Sequence, residues 1–348
     1  MGGLTRRKEQ TTATNAMEEQ TVSAAIAGDE AAFTQLVERY RSELQVHAYR
    51  MLGSLEDAQD ALQEAFLRAW KGRTTYRRQS TFRAWLYQIT TNACLRILER
   101  RPRRFVAYDV DPAAELGSRP RPPADLPWLQ PYPDRLLDEG AEPEDAVVAR
   151  ETIELAFLAA IQHLPPRQRA VLILRDALDW SANETAAVLE MSVAAVNSAL
   201  QRGRATMKDQ LPDARLEWAT AVDAEEAERS LLHTYMEAFE RHDPSQLVAL
   251  LREDVRLAMP PHPTWYNGRE AVAAFFTGVA FAPESEAHRL VPTRANRLPA
   301  FGVYRGEGAD ARPFAINLVE IESGLITDMH FFKYPELFPA FGLPDTLR

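Results

Sequence analysis

The 348-residue sequence has a single cysteine, Cys94, and no apolar run of membrane-spanning length. One cysteine excludes a disulfide and any cysteine-rich zinc site within the chain, which favours a reducing compartment, the cytoplasm. The seven histidines are scattered without the paired spacing of a metal-binding motif, so we expect no metal and no cofactor. Residues 1–21 lack the hydrophobic segment of a signal peptide and predict a disordered tail.

Acidic residues are nearly missing from two stretches of a chain whose net charge is −10. Between Lys71 and Arg104, ten arginine or lysine residues stand against Glu99 alone, and no acidic residue occurs from Ser192 to Lys208. Local positive charge of this kind is typical of phosphate contact, even on an acidic chain. The last third, residues 225–348, has 18 acidic and 12 basic residues, which argues against DNA binding there.

Residues 164–208 predict three helices separated by short turns. Pro166 favours the start of the first helix, and Ser181 and Glu184 have the capping-box spacing at the start of the second. Ser192 is placed to cap the third helix. The segment therefore has the organisation of a helix-turn-helix, although an ordinary helical hairpin with a solvated basic face is the alternative when it is taken alone.

The third of these helices has an apolar and a polar side. Val196, Leu200 and Met207 fall on one side at helical spacing. The other side offers small, amide and guanidinium groups, which can enter a DNA major groove, read base edges and hold phosphates.

The segments LPPRQRAVLILRD and SVAAVNSALQRGRA resemble the opening and the recognition helix of the σ4 domain of extracytoplasmic-function sigma factors of the sigma-70 family. The resemblance implies that residues 143–211 read the minus-thirty-five element of a promoter. It also implies that the protein contacts the flap of the second-largest subunit of RNA polymerase. The residues that match its DNA-contacting positions are Ala194, Ala195, Asn197, Ser198, Gln201, Arg202 and Arg204.

Residues 22–104 predict a helical domain with two further resemblances. DAQDALQEAFLRAW resembles the σ2 segment that docks on the clamp of the largest polymerase subunit, which implies polymerase contacts by Asp57, Asp60, Gln63 and Glu64. FRAWLYQITTNACL resembles the σ2 helix that binds the minus-ten element, and residues 73–81 match the strand-opening loop. The implied contacts for promoter recognition and melting are Arg77, Arg78, Arg83, Trp85, Asn92 and Arg96, although Trp85 also fits a core position at helical spacing.

A proline-rich linker, residues 105–142, follows this domain and separates it from residues 143–211. Prolines preclude a regular helix there, and the linker is longer than a tether needs to be. Trp128, Leu129 and Tyr132 are unusual in such a segment, so we expect them to dock on polymerase or on another domain of the chain.

After a connector, residues 212–227, the segment 228–348 predicts helices followed by an antiparallel meander, an α+β cone. The stretch LREDVRLAMPPHPTWYNGREAVAAFF, in which WYNG is expected to be a turn, resembles the SnoaL-like branch of the NTF2-like fold. The candidate pocket residues are Trp265, Tyr266, Asn296, Asn317, His330 and Phe332. His330 and Asp328 are spaced as a base and its orienting carboxylate, but we favour a structural role for this histidine.

We therefore interpret the chain as a multidomain protein with all-α σ2 and σ4 domains and a SnoaL-like cone. The expected function is that of a bacterial alternative sigma factor, not an enzyme, whose partners are core RNA polymerase and promoter DNA, with no membrane. An anti-sigma factor or a small ligand at the C-terminal domain stays open. The alternatives are an NTF2-like cyclase or isomerase targeted to DNA by a sigma-like module, and a stand-alone DNA-binding repressor.

Overall fold

A computed structural model describes residues 19–77, 80–101, 103–137, 153–210 and 225–347. Its contacts divide the chain into two compact units. Among the described residues, the first unit holds 19–101, Leu137 and 164–205, and the second holds 103–136, 153–163, 206–210 and 225–347. No helix in these ranges is long and apolar enough to cross a bilayer.

The N-terminal helices of the first unit begin and end where local chemistry favours it. Asp29 accepts hydrogen bonds from the amides of Ala31 and Ala32, and Ser54 accepts one from Asp57, so two helices start with filled caps. Gly53 ends the preceding helix with φ at 64°. The helices are α1 (residues 19–27), α2 (Glu30–Leu52), α3 (Leu55–Gly72) and α4 (Phe82–Arg100).

A buried histidine lies among these helices. His47 on α2 is fully buried, and its Nε2 atom is 2.9 Å from Oγ1 of Thr91 on α4. Burial, with the charges of Arg50 and Arg83 added, lowers the pKa of His47 to about 3. The imidazole is therefore neutral in the folded chain.

The first unit is expected to lose stability as the pH falls below the ordinary histidine pKa. The unfolded chain binds the His47 proton at about pH 6.5 and the folded chain only at about pH 3, so the contribution is complete above pH 6.5 and is lost on acidification. Between pH 7 and pH 5 the loss should be about 2 kcal/mol. Urea unfolding of the parent chain and of His47→Gln at both pH values checks this, and an unchanged pH slope in the variant would contradict it.

The next helices begin with the caps that the sequence predicts. The capping box of Ser181 and Glu184 is formed, with hydrogen bonds of 2.8 and 3.2 Å, and Ser192 accepts a bond from the amide of Ala195. The helices are α5 (Leu155–Ile161), which belongs to the second unit, α6 (Pro166–Leu172), which continues as a π-turn over Ile173–Ala177, α7 (Ala182–Leu189) and α8 (Val193–Gln210).

Within the first unit, α6 and α7 pack against α2 and α4. The buried Arg169 donates to the carbonyl oxygen of Met51 at 2.5 Å. The rings of Tyr87 and Trp180 lie 4.9 Å apart, and Gln88 donates to Glu190 at 3.0 Å. Since α6, α7 and the N-terminal helices share these contacts, they form one folded body.

A six-stranded sheet organises the second unit in the order β2-β1-β6-β5-β4-β3. The strands are β1 (Leu251–Met259), β2 (His262–Asn267), β3 (His288–Ala295), β4 (Leu298–Arg305), β5 (Arg312–Glu322) and β6 (Leu325–Phe332). The antiparallel meander expected from the sequence covers β3 to β6, but β1 pairs in parallel with β6. The helix after β2 carries the chain to the far edge of the sheet, so the meander returns to β1 in the parallel sense.

The helices of this unit are α9 (Glu225–Glu240), α10 (Pro244–Ala249) and α11 (Arg269–Phe275). Asp243 caps α10 by accepting from the amide of Gln246, as its Asp-Pro sequence favours. The segment WYNG was expected to be a turn, but Trp265, Tyr266 and Asn267 extend β2 through pairing with β1. One face of the sheet packs against α9 and α11 in an aromatic core, which includes Tyr235, Phe239 and Phe276.

The proline-rich segment 103–136 lies against the opposite face of the sheet. Trp128, Leu129 and Tyr132 are buried, at 3%, 1% and 0% exposure. Backbone hydrogen bonds join the segment to the sheet. The amides of Ala114 and Ala124 donate to carbonyl groups of the β1–β2 region at 2.9 Å. The linker is therefore a folded part of the C-terminal unit, and Trp128, Leu129 and Tyr132 dock on another part of the chain.

Candidate nucleic-acid interface

A cluster of three aromatic rings precedes and opens α4. The rings of Tyr76, Phe82 and Trp85 lie 5.3 to 5.6 Å apart in pairs. The hydroxyl of Thr81 caps α4 by accepting from the amide of Ala84, which fixes the turn from the loop into the helix. The cluster holds the loop against the first turns of α4.

A cavity of about 460 Å³ lies beside this cluster. Four of the predicted DNA contacts line it together: Arg77, Trp85, Asn92 and Arg96. The remaining lining residues are Arg68, Gly72, Thr75, Tyr76, Ser80, Gln88 and Ile89. The wall thus combines aromatic faces, two amides and three guanidinium groups, which suit an unstacked base and its flanking phosphates.

The other two predicted contacts of this group are not among the lining residues. Arg78 lies outside the described residues. Arg83 forms a bidentate ion pair with Glu43 at 2.7 to 3.0 Å and lies over the rings of Tyr87 and Trp180. Burial works to lower the pKa of Arg83, but the bonds to Glu43 outweigh it and raise the pKa. In this state the guanidinium group of Arg83 is engaged in contacts within the protein.

Helix α8 presents the side that the sequence predicts. Val196, Leu200 and Met207 are buried, whereas the opposite side is open to solvent. Gly203 allows this packing, since a Cβ there would lie 3.3 Å from the side chain of Leu172. Of the predicted contacts, Ala195 is half-buried and the exposed ones are Ala194, Asn197, Ser198, Gln201, Arg202 and Arg204.

Arg204 differs from its neighbours because it forms an ion pair with Asp176 at 2.6 Å. Arg204 is exposed and Asp176 is half-buried, and a solvent-exposed ion pair of this kind contributes little stability. The exposed polar face of α8 is therefore continuous from its first to its last turn.

Helix α3 has a polar and an apolar part on its exposed side. Asp60, Gln63 and Glu64 are exposed, Asp57 is half-buried, and Glu64 is paired with Arg68. A groove of about 590 Å³ runs beside them and is lined by Phe33, Arg41, Gln45, Gln59, Leu62, Gln63, Phe66, Leu67 and Trp70. An apolar groove with a charged rim is typical of a protein–protein contact.

The residues predicted to line a C-terminal pocket do not come together. In the β5–β6 pairing Asn317 is opposite Phe331 and His330 is opposite Leu318, so Asn317 and His330 point to opposite faces of the sheet. Asn317 lies on the α9 side, where it accepts a hydrogen bond from the hydroxyl of Tyr235 at 2.8 Å. Tyr266 belongs to the same core.

Trp265, His330 and Phe332 share the face that the linker covers. The indole of Trp265 donates to the carbonyl oxygen of Asp111 at 2.8 Å. His330 is 3.9 Å from Asp328, which forms an ion pair with Arg256 at 2.7 Å. The predicted base therefore lies in a structural cluster under the linker.

Asn296 is placed in the β3–β4 turn with φ at 53° and is fully buried. Its side chain accepts from the amide of Tyr132 at 2.9 Å and donates to the carbonyl oxygen of Ile153 at 2.8 Å. It thus joins the linker and the segment before α5 to the sheet.

Three family models match the chain: Sigma-70 region 2 over residues 36–104, Sigma-70 region 4 over 154–207 and the SnoaL-like domain over 232–329. The chain is 40% identical over 320 residues to the ECF RNA polymerase sigma factor SigG of Mycobacterium tuberculosis, covering 90% of this chain and 85% of SigG. The chain belongs to the extracytoplasmic-function (ECF) sigma factors. It is an RNA polymerase sigma factor with a SnoaL-like C-terminal domain.

Other relatives of this sigma factor differ in how much of it they cover. The ECF sigma factor SigW of Bacillus subtilis is 31% identical over 187 residues, which are 53% of this chain and 92% of SigW. The crystal structure of Mycobacterium tuberculosis SigJ matches 90% of this chain and 99% of its own with a TM-score of 0.54 and 21% identity. That likeness shows a shared fold that includes the C-terminal domain.

Sequence reasoning missed two residues of this sigma factor's surface. Gln88 lines the α4 cavity because it is three residues after Trp85 and four before Asn92, and this helical spacing could have identified it. Leu67, one turn beyond Gln63 and Glu64 on α3, is 51% exposed. An apolar residue in the exposed stripe of an amphipathic helix was the signal for it.

Proposed function

We propose that this sigma factor uses the α4 cavity to hold an unstacked base of the minus-ten element and α8 to read the minus-thirty-five element. The observation that carries the proposal is the convergence of Arg77, Trp85, Asn92 and Arg96 on one cavity. Cations beside aromatic and amide groups are what single-strand capture needs, because the base stacks while the phosphates are held.

The α8 face supports the second half of the proposal. Small side chains at Ala194 and Ser198 let the helix approach base edges, and Asn197 and Gln201 can pair with adenine. Arg202 and Arg204 are placed for phosphates, which position the helix without reading sequence.

For core polymerase, the α3 groove supports a contact with the clamp of the largest subunit. Leu67 and Phe66 supply apolar area, and Asp60, Gln63 and Glu64 form the rim that selects the partner. The residues 143–211 are proposed to contact the flap of the second-largest subunit. These contacts would serve transcription initiation, which takes place in the cytoplasm.

The C-terminal domain is proposed to modulate initiation by holding the linker rather than by catalysis. Trp128, Leu129 and Tyr132 cannot reach polymerase while they are buried against the sheet. The acid–base pair expected of an enzyme is engaged otherwise, since Asp328 is bound to Arg256. An anti-sigma factor as a further partner stays a prediction.

In vitro transcription from a pool of genomic promoters tests the proposal. Purified core polymerase with the full-length chain is expected to give discrete start sites that core polymerase alone does not give. A chain ending at residue 211 is a poor comparison, because it also removes the sheet that buries the linker aromatics. A full-length chain that binds core polymerase and yields no specific start site would contradict the proposed function.

A further inference from the structure

Four basic side chains converge on one end of the C-terminal sheet, on the side of α9. His288 is the first residue of β3 and is paired with Arg305, the last residue of β4. Lys333 directly follows β6, and His242 follows α9 with φ at 52°. None of these four residues was singled out by its sequence pattern, because strand register brings Arg305, His288 and Lys333 together and the packing of α9 adds His242.

Three of these residues form a directional hydrogen-bond chain. Nε of Arg305 donates to Nε2 of His288 at 3.2 Å, and Nδ1 of His288 is 2.8 Å from Nε2 of His242. Because a guanidinium only donates, His288 accepts on Nε2 and carries its proton on Nδ1. Nε2 of His242 accepts this hydrogen bond, so His242 carries its own proton on Nδ1, which points away from His288. The ring of His242 stacks on Phe281.

Arg305 and Lys333 also share one aromatic ring. The guanidinium carbon of Arg305 is 3.5 Å from the centroid of Phe314, and Nζ of Lys333 is 5.3 Å from it. Phe314 is the extra residue at the irregularity between β4 and β5, which turns it toward these two cations. The ring therefore holds two positive charges close together.

No carboxylate in the described ranges forms an ion pair with either cation. Glu286, the acidic group that acts on Arg305, is bound by Arg312 at 2.9 Å, and Glu240 bonds the amide of Leu290. Burial, with the charge of Arg305 added, lowers the pKa of Lys333 to about 8, and burial likewise lowers that of Arg305. Half-buried cations without an anion are unfavourable, and an oxyanion between them relieves both the repulsion and the desolvation.

We propose that Arg305 and Lys333 form a binding site for the phosphate or carboxylate group of a small molecule. A guanidinium fork and an ammonium group offer converging charge-assisted donors for such a group. His288 acts as a positioning residue that orients Arg305 and fixes the proton of His242. The site is independent of promoter and polymerase contacts, so it goes beyond the proposed function.

The test is a titration of the full-length chain, labelled with 15N-histidine, with inorganic phosphate and separately with acetate at constant ionic strength. Saturable shifts are expected for His242 and His288, assigned through their His→Gln variants. His233, whose side chain is 75% exposed on α9, should not follow them. Saturation by phosphate alone or by acetate alone assigns the chemical group, and both outcomes support the site.

The control variants separate this site from general anion binding by the basic N-terminal domains. Lys333→Met should weaken the apparent affinity at least about tenfold, and Lys333→Arg should restore it, as expected for a charge-assisted contact. Arg252→Gln, which removes a charge paired with Asp254 and with Glu322 at the opposite end of β5, should leave the affinity within about twofold. Linear shifts, equal shifts at His233, or unchanged affinity in a folded Lys333→Met chain would overturn the proposal.

Discussion

Replacing Asn92 and Arg96 together by alanine is expected to reduce promoter-specific transcription by about 100-fold while leaving the affinity for core polymerase unchanged. Both side chains line the α4 cavity, and neither lies in the groove beside α3. Loss of base and phosphate contacts in such a pocket costs about 1–3 kcal/mol each, so two losses correspond to about 3 kcal/mol. The measurement is the yield of start-site-specific transcripts at saturating polymerase.

Arg100→Ala is the matched control, because Arg100 is an exposed arginine on α4 that does not line the cavity. It removes the same charge and should change transcription by less than about threefold, which is the size of a single phosphate contact. A template that is already unpaired at the minus-ten element should not rescue the double variant if the cavity captures the base. Full rescue would assign these residues to duplex opening alone.

Asn296→Ala is expected to lower the free energy of unfolding of the C-terminal unit by about 3 kcal/mol and to release the linker. The variant loses two buried hydrogen bonds, to Tyr132 and Ile153, worth about 1 kcal/mol each, and alanine is strained by about 1 kcal/mol at this left-handed backbone position. Urea unfolding measures the loss, and hydrogen exchange at the Tyr132 amide, which donates to Asn296, reports the release.

Ser323→Ala separates the backbone strain from the linker contact, because Ser323 has φ at 52° in an exposed turn. It should cost no more than about 1 kcal/mol and should leave exchange at Tyr132 unchanged.

With the linker released in Asn296→Ala, transcript yield at limiting core polymerase should rise, since Trp128, Leu129 and Tyr132 become available. A lower yield would mean that the docked linker assists initiation, and an unchanged yield would remove the C-terminal domain from the regulation of initiation.

Sequence predicts best where the physical cause is local. The caps at Ser181 and Ser192 depend on residues within three positions, and both form as their spacing indicates. The apolar and polar sides of α8 follow from one helical period in the same way. Fold class and the position of the helices proposed to face DNA are therefore accessible without coordinates.

Contacts with partners far along the chain are not accessible from the sequence pattern. Arg83 stays a predicted DNA contact, but the sequence does not reveal its ion pair with Glu43, 40 residues earlier. The pocket residues of the C-terminal domain required the strand register, because a residue shift of one moves a side chain to the other face. That His330 lies under the linker follows from the parallel pairing of β1 with β6, which alternation along single strands does not reveal.

The contact of Gln88 with Glu190 sets a limit on what the folded first unit can span. Asn92 lies four residues from Gln88 along α4, and Gln201 lies 11 residues from Glu190 along the chain. Asn92 and Gln201 are therefore at most roughly 45 Å apart. Elements centred ten and thirty-five base pairs upstream of a start site are about 85 Å apart on duplex DNA. If α4 and α8 read the two elements as proposed, one molecule in this conformation can occupy only one element at a time. If the separated form is about 1% of the free chain, polymerase must supply about 2.7 kcal/mol to hold it apart, and free sigma factor binds promoters about 100-fold more weakly than its domains allow.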